Sequence, residues 1–467
     1  MTCDLTRRHT LIGLAASSLL MPACQPSSRK LDADVIVLGA GLSGLYTAML
    51  LEDSGFTVRV IEALPRVGGR MFTLDHGDGY TEGGGQQIGA SYARVLDVAA
   101  ELGVPLYAET GRGPATSHYL NDAWQLGSVD IPVFPEPFRN TPPGSVLFRL
   151  LARTPGFDRP DGWLDPAPEL DISAAQFLTQ NGFSQAAQGL IDRALNANDL
   201  SSYSMLNLHR TWQLYQQSAG MGATQYVEGG SQRLPEAMAA SLNQPVLTDH
   251  PVTEIALEAG RGTVRTSRGS FTGAHIVCTL PFPALRRIRL SGFDTPLPLT
   301  EAIDGLAYTQ IMQVHMRAKT DYWTTDDLAP SLWTDTDLER VFADSGRDGS
   351  LSGFQRGWVN GTGVAHWMHD TASAQQRYVQ RLAELRPASQ GQLDPLALID
   401  WTTNNPFAGG AYYHWQPGQA ARFGRDMGRP IGPLRFAGEH LGLLHTGMEA
   451  AMESAERTAL DIIEGNT

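Results

Sequence analysis

A short apolar run, Asp34-Val35-Ile36-Val37-Leu38, passes directly into Gly39-Ala40-Gly41-Leu42-Ser43-Gly44, and this junction restricts the fold more than any other stretch of the chain. Leu45, Ala48, Met49 and Leu51 follow at helical spacing, so the order is strand, glycine turn, helix. Gly39 permits the tight turn, Gly41 lets the backbone approach a pyrophosphate, and Gly44 lets the helix pack on the strand. The first helical amides and the positive end of the helix dipole face such a ligand, which puts Leu42 and Ser43 beside it. A second strand, Thr57-Val58-Arg59-Val60-Ile61, ends in Glu62, about twenty residues past the glycines, where a carboxylate accepts hydrogen bonds from both ribose hydroxyls. The pattern predicts a dinucleotide on an N-terminal βαβ unit but does not by itself separate NAD from FAD.

At 467 residues the chain exceeds one ordinary core and predicts two or three domains. Apolar residues at 42% with 18% charged residues give a globular composition, and no internal run of eighteen or more apolar residues offers a transmembrane span. A net charge of -14 argues against a nucleic-acid partner, since clustered Lys and Arg are lacking. The only cysteines are Cys3, Cys24 and Cys278, too few for a disulfide framework, and Cys278 in Ala274-His275-Ile276-Val277-Cys278 reads as a packed core thiol. The histidines lack paired spacing of the zinc type, so no metal site is expected.

The first thirty residues read as an address. Arg7-Arg8 running into the mildly apolar stretch Leu11 to Met21 has the layout of a twin-arginine export signal, followed by a polar linker. Export to the periplasm by this route suits a protein that must acquire its cofactor before it leaves the cytoplasm. Met21-Pro22-Ala23-Cys24 is a degenerate lipobox that would anchor the chain through Cys24. Simple cleavage ranks above it because of Pro22.

Glu62-Ala63-Leu64-Pro65-Arg66-Val67-Gly68-Gly69-Arg70 resembles the extension after the second strand in the flavin-containing amine oxidase family. That family runs from monoamine oxidases through L-amino-acid oxidases to nicotine-type dehydrogenases. The resemblance implies FAD, with Ala63, Gly68 and Gly69 close to the pyrophosphate and Arg70 paired with it. Gly83-Gly84-Gly85-Gln86-Gln87 is similar to the loop beside the flavin ring, Val252 to a valine near the adenine, and Gly438-Glu439-His440 with Gly447-Met448-Glu449 to the paired block closing the site. The implied fold is α/β, a Rossmann-like FAD-binding domain of glutathione-reductase type with an inserted α+β substrate domain. The nucleotide domain would comprise 31–90, 225–290 and 400–467, and the substrate domain 91–224 and 291–399. Within the latter, helices are expected over Ala174 to Asn196 and Ser204 to Gln217.

Departures from the family pattern sharpen the expected chemistry. Covalent members carry a cysteine where this chain has Ala411 in Gly409-Gly410-Ala411-Tyr412, so FAD is expected to be held non-covalently. Trp401 matches a tryptophan that packs on the flavin, and Tyr412 matches one of two aromatic faces flanking the substrate. The second face falls on Gly447, leaving a gap for His445 or a side chain of the inserted domain. A lysine hydrogen-bonded through water towards the flavin is replaced by Gln313, counted ten residues back from Trp323. That lysine is associated with rapid oxygen use, because a positive charge stabilises charge developing on dioxygen. A neutral glutamine predicts slow oxygen use and electron delivery to a cytochrome c or quinone-linked acceptor.

The resemblance implies hydride removal from the carbon beside a small-molecule amine, with Gln313, Tyr412 and His440 as candidate catalytic residues and His440 as a proton relay. An L-amino-acid oxidase is the alternative and needs an arginine for the substrate carboxylate, for which Arg94 is the candidate. A desaturase on the same scaffold and a non-catalytic flavoprotein are further alternatives. Sequence leaves the oligomeric state open, a dimer included.

Overall fold

The computed structural model describes residues 31–108, 113–125, 128–258, 260–403 and 405–465, so the leader with Arg7, Arg8 and Cys24 lies outside the described residues. Strand β1 (Ala33–Leu38) is inserted between two parallel neighbours, β2 (Val58–Ile61) and β3 (Gly269–Cys278). Its side chains are almost entirely buried, the expected state of a parallel strand covered on both faces. β3 does double duty along its other edge. Its first half pairs antiparallel with Arg261–Thr266 and its last residues pair parallel with Leu434–Phe436. The seven-stranded sheet is completed by Val252–Glu258 and Arg289–Ser291, so one sheet collects strands from the start, middle and end of the chain.

Helix α1 (Leu42–Asp53) starts within the glycine motif and is buried from Leu42 through Met49. It is apolar all round because it is enclosed on both sides, by the sheet and by the C-terminal helix α2 (Gly447–Ile463). Leu45, Ala48 and Met49 share one core with Ala455, Ala459 and Ile462. Ser454 Oγ both donates to Gly438 O and accepts from Gly438 N at 2.8 Å, fastening α2 to the segment that follows Leu434–Phe436.

A second seven-stranded sheet has at its centre β4 (Ile311–Ala318), β5 (Arg340–Ser345) and β6 (Leu351–Asn360), in the spatial order β4, β6, β5. Leu393–Asp400 flanks β4, and Ser331–Thr334, Thr116–Leu120 and Ala123–Gln125 follow β5. Helices over 143–218 pack into a separate core beside it. The single helix expected over Ala174 to Asn196 is two, Ala174–Gln180 and Gln185–Asp192. Gly182 takes a left-handed φ of 81°, and Ser184 caps the second helix by accepting from Ala187 N. The next helix runs Met205–Ser218 with Ser204 as its cap. Cys278 is buried, as its apolar run suggests. Among the described residues no helix is long and apolar enough to cross a membrane, and no cluster of His, Cys, Asp and Glu has metal-binding geometry.

Candidate functional site

The glycine turn closes by a backbone contact at Gly44 that leaves no room for a side chain. A Cβ on Gly44 would stand 1.9 Å from Gly39 O, so the third glycine lets α1 lie directly on the end of β1. At Gly41 a Cβ would meet no protein atom within 4 Å, so this residue borders open space. The following loop is strapped against the turn, with Gly68 N donating to Ala40 O at 2.8 Å and a Cβ on Gly69 reaching 3.4 Å from Gly41 Cα. Glu62 at the end of β2 accepts from Ala40 N at 2.8 Å and Leu64 N at 2.9 Å. Burial pushes its carboxyl above the usual carboxylate range despite these donors.

This cradle opens into a cavity of about 1310 Å³ that runs between the two sheets. Gly39, Gly41, Leu42, Ser43, Glu62, Ala63, Gly68, Gly69 and Arg70 line one end of the site, and Val252 joins them from the long antiparallel strand. Gly85, Gln86, Gln87, Gly438, Glu439 and Met448 line it from the Gly-rich loop and the C-terminal block. Gln313, Trp401 and Tyr412 also face the cavity. Gly44 does not, consistent with a packing task rather than ligand contact.

Arg70 and Glu439, expected as separate ligand contacts, are paired with each other at 3.0 Å, and Arg70 also donates to Ala411 O at 3.0 Å. The 411 position is itself pinned, because Ala411 N donates to Thr309 O and Thr309 N to Tyr412 O. Tyr412 donates its hydroxyl to Asn196 O at 3.2 Å, so its ring is held from both ends. Trp401 donates from Nε1 to Gly83 O at 2.8 Å, which locks the indole against the Gly83–Gly85 loop. Gln313 is buried with its Oε1, an acceptor, 3.0 Å from His315 Nε2; burial, with Arg356 and His76 nearby, pushes that imidazole down to about 3, so the pair is neutral.

Three expectations are corrected. His440 does not line the cavity; its ring lies 4.3 Å from that of Phe282, and burial together with Arg70 pushes its pKa down to about 3. A buried imidazole turned into apolar packing cannot relay protons at the site. His445 does not fill the gap at Gly447 either, because it is 3.0 Å from Glu453 and outside the cavity lining. The other expected source, a side chain of the inserted segment 91–224, stands there: Tyr92, with its hydroxyl 3.5 Å from where a Cβ on Gly447 would lie. Arg94, the candidate for an amino-acid carboxylate, is spent on Glu449 at 3.0 Å and Glu456 at 2.6 Å and does not line the cavity.

Tyr92, Asn196, Arg340 and Trp358 are cavity residues that sequence reasoning missed. Trp358 and Arg340 sit on strands whose alternation marks two faces without saying which one looks inward. Tyr92 follows Gly89 in a turn with no periodic signal.

Comparison with known proteins fits this geometry. The chain is similar to amine oxidase [flavin-containing] B from Homo sapiens, 24% identical over 459 residues that cover 92% of this chain and 86% of the relative. It is equally similar to amine oxidase [flavin-containing] A from Equus caballus, 24% identical over 460 residues. Among solved structures, cyclohexylamine oxidase from Brevibacterium oxydans IH-35A superposes with a TM-score of 0.75 at 24% identity, covering 93% of this chain and 99% of that one. Wild-type putrescine oxidase bound to putrescine gives a TM-score of 0.74 at 22% identity, covering 92% of this chain and 99% of that chain. A family model described as flavin-containing amine oxidoreductase matches residues 42–463, a span that includes α1, the second sheet, the first sheet apart from β1, and α2. By that match the chain is an FAD-dependent enzyme of the flavin-containing amine oxidoreductase family.

Proposed function

We propose that this enzyme oxidises a small-molecule amine at the carbon beside its nitrogen, holds FAD without a covalent bond, and passes electrons slowly to oxygen. The observation that carries the reading is the cavity itself. It joins a dinucleotide cradle to a chamber lined by Tyr412, Trp401 and Gln313. Gly39, Gly41, Gly68 and Gly69 supply backbone that a diphosphate can approach, Glu62 keeps lone pairs free for ribose hydroxyls, and the N-terminus of α2 at Met448 offers amides to the other end. Ala411 supports non-covalent binding, since it has no nucleophilic atom.

When bound, FAD supplies the two-electron acceptor for a C–H bond. The protein residues position and dehydrate the substrate. Tyr412, fixed through Asn196, and Tyr92 at the Gly447 gap give the faces along which an amine can be oriented, and Trp401, fixed through Gly83, is left to back the flavin. Burying an amine among such faces disfavours its ammonium form, which is the unreactive one. Gln313 places an amide, not an ammonium, at its position in the chamber, so charge developing on dioxygen gains no cationic partner there.

An anaerobic panel of amines, read by bleaching of the yellow chromophore and then by exposure to air or to cytochrome c, tests this directly. Bleaching by at least one amine and slow recolouring in air are expected; prompt recolouring in air by the wild type would remove the slow-oxygen reading. Gln313→Lys is expected to speed recolouring by about tenfold or more.

We also propose export to the periplasm through the twin-arginine pair, with cleavage favoured over lipid anchoring at Cys24. Changing Arg7 and Arg8 together to lysine is expected to shift the flavoprotein from the periplasmic to the cytoplasmic fraction. Unchanged fractionation would end that proposal.

A further inference from the structure

Gln313 on β4, Trp358 on β6 and Arg340 on β5 are register partners across the second sheet, so their side chains form one row on the face that looks into the cavity. Two arginines on this face are buried, and they are treated differently. Arg356 is closed by Asp344, with Nη2 2.8 Å from Oδ1 and Nε 3.0 Å from the same oxygen, and donates to Glu82 O. Arg340 is 8% exposed and has no carboxylate within 4 Å among the described residues. Among the described residues its guanidinium donates only to Asn196 Oδ1 at 2.8 Å and Ala194 O at 3.3 Å, and its Nε finds no acceptor. The adjacent Glu339 carboxylate is engaged with Asn360 N and Nδ2 and does not line the cavity.

A guanidinium removed from water with no carboxylate in contact is costly, the field of the neighbouring Glu339 offsetting only part of it, and here it borders the chamber in which the substrate is oriented. Its neighbour Asn196 is the residue that fixes Tyr412, so the cation and the aromatic face are held by one short segment. Trp358, with its Nε1 committed to Asn360 Oδ1, presents an apolar surface between Gln313 and Arg340. Two strand spacings separate those two positions, about 10 Å between backbones.

Resting on the reading of the chamber as an amine-oxidation site, we propose that Arg340 determines specificity by binding a carboxylate at the far end of the substrate. The substrate class is an amine separated from a carboxylate by a ring-sized apolar spacer. The remote position sets this class apart from an α-amino acid, whose carboxylate would sit beside the oxidised carbon. The free N–H groups of Arg340 would donate to the carboxylate, and Trp358 would line the spacer.

The test uses the holoenzyme and three matched amines: para-(aminomethyl)benzoate, its primary carboxamide, and para-methylbenzylamine. The expected result is a kcat/KM for the carboxylate on the order of 10- to 100-fold above the carboxamide, carried by KM. Arg340→Gln collapses that ratio, and Arg340→Lys retains part of it. A reading independent of turnover is titration of para-toluate, which has no amine to oxidise. It should perturb the flavin absorbance of the wild type and of Arg340→Lys, and bind at least tenfold more weakly to Arg340→Gln. Equal use of carboxylate and carboxamide by the wild type, or para-toluate binding indifferent to Arg340→Gln, would overturn the proposal. Should no amine bleach the flavin while para-toluate still binds through Arg340, the oxidation reading fails and the anion site stands. Should Arg340→Gln not fold, the wild-type ratio and Arg340→Lys still decide.

Discussion

Replacing Gly44 with alanine is expected to yield a colourless protein with reduced stability, and replacing Gly41 with alanine a stable protein that has lost FAD affinity. The contrast follows from what each new methyl would meet. At Gly44 it would collide with backbone, Gly39 O at 1.9 Å, which cannot yield as a flexible side chain does. α1 must move off β1, and overpacking of that kind costs about 1–3 kcal/mol while also displacing the amides that face the cofactor. At 3 kcal/mol the FAD dissociation constant rises on the order of 100-fold. At Gly41 the methyl would meet no protein atom within 4 Å, and the backbone there has an ordinary φ of -79°, so the apoprotein should tolerate it. Its only obstacle is the ligand. Urea unfolding of both apoproteins and FAD titration of each separate the two outcomes. Equal apoprotein stability in the two variants would show that α1 does not rest on Gly39 as described.

The second large effect is expected from Arg70→Met. The Arg70 guanidinium is the cation paired with Glu439, whose side chain is 10% exposed against 26% for Arg70. Removing one partner of a mostly buried pair leaves the other charge uncompensated, which destabilises by roughly 3 kcal/mol, the low end of the usual range because Arg70 keeps some contact with water. The pH dependence has a definite sign. Burial already raises the Glu439 carboxyl above its ordinary value of 4.5, with Arg70 opposing the shift, so loss of Arg70 raises it further. A folded-state pKa above the unfolded one means that the native protein holds the proton more tightly. The deficit of Arg70→Met should be small at acidic pH, where Glu439 is protonated in both states, and grow as pH rises towards neutrality. Apoprotein unfolding midpoints at mildly acidic and neutral pH check this, and a deficit that shrinks with rising pH would contradict it.

These two effects fall where the sequence was most legible, and for the same reason. Gly39, Gly41, Gly44 and Glu62 meet their partners through backbone geometry within one βαβ unit, so a local pattern carries their roles. Gln313, Trp401 and Tyr412 reached the cavity only through resemblance, because their placement depends on strand pairings distant in sequence. Arg340 and Trp358 could not be found at all by that route. β5 and β6 alternate on both faces, and a one-residue slip in register would turn each of these side chains away. His440 was misplaced by adjacency. Gly438 takes a φ of 146° and a short helical turn follows, so Glu439 faces the cavity while His440 is turned against Phe282. The break at Gly182 did have a local sign, Asn181-Gly182 followed by the capping Ser184, but helical spacing on both sides concealed it.

Because α2 covers α1, and Ser454 ties down Gly438, the cradle written near the start of the polypeptide lacks a wall until the last helix has been made. During synthesis, the glycine turn and β1 emerge early, yet β3 and Leu434–Phe436 must still arrive to complete the sheet around them. Capture of the cofactor is therefore a late event in the life of each molecule. A ribosome stalled before Gly447 would carry a nascent chain unable to retain FAD, however well its first domain strands had formed.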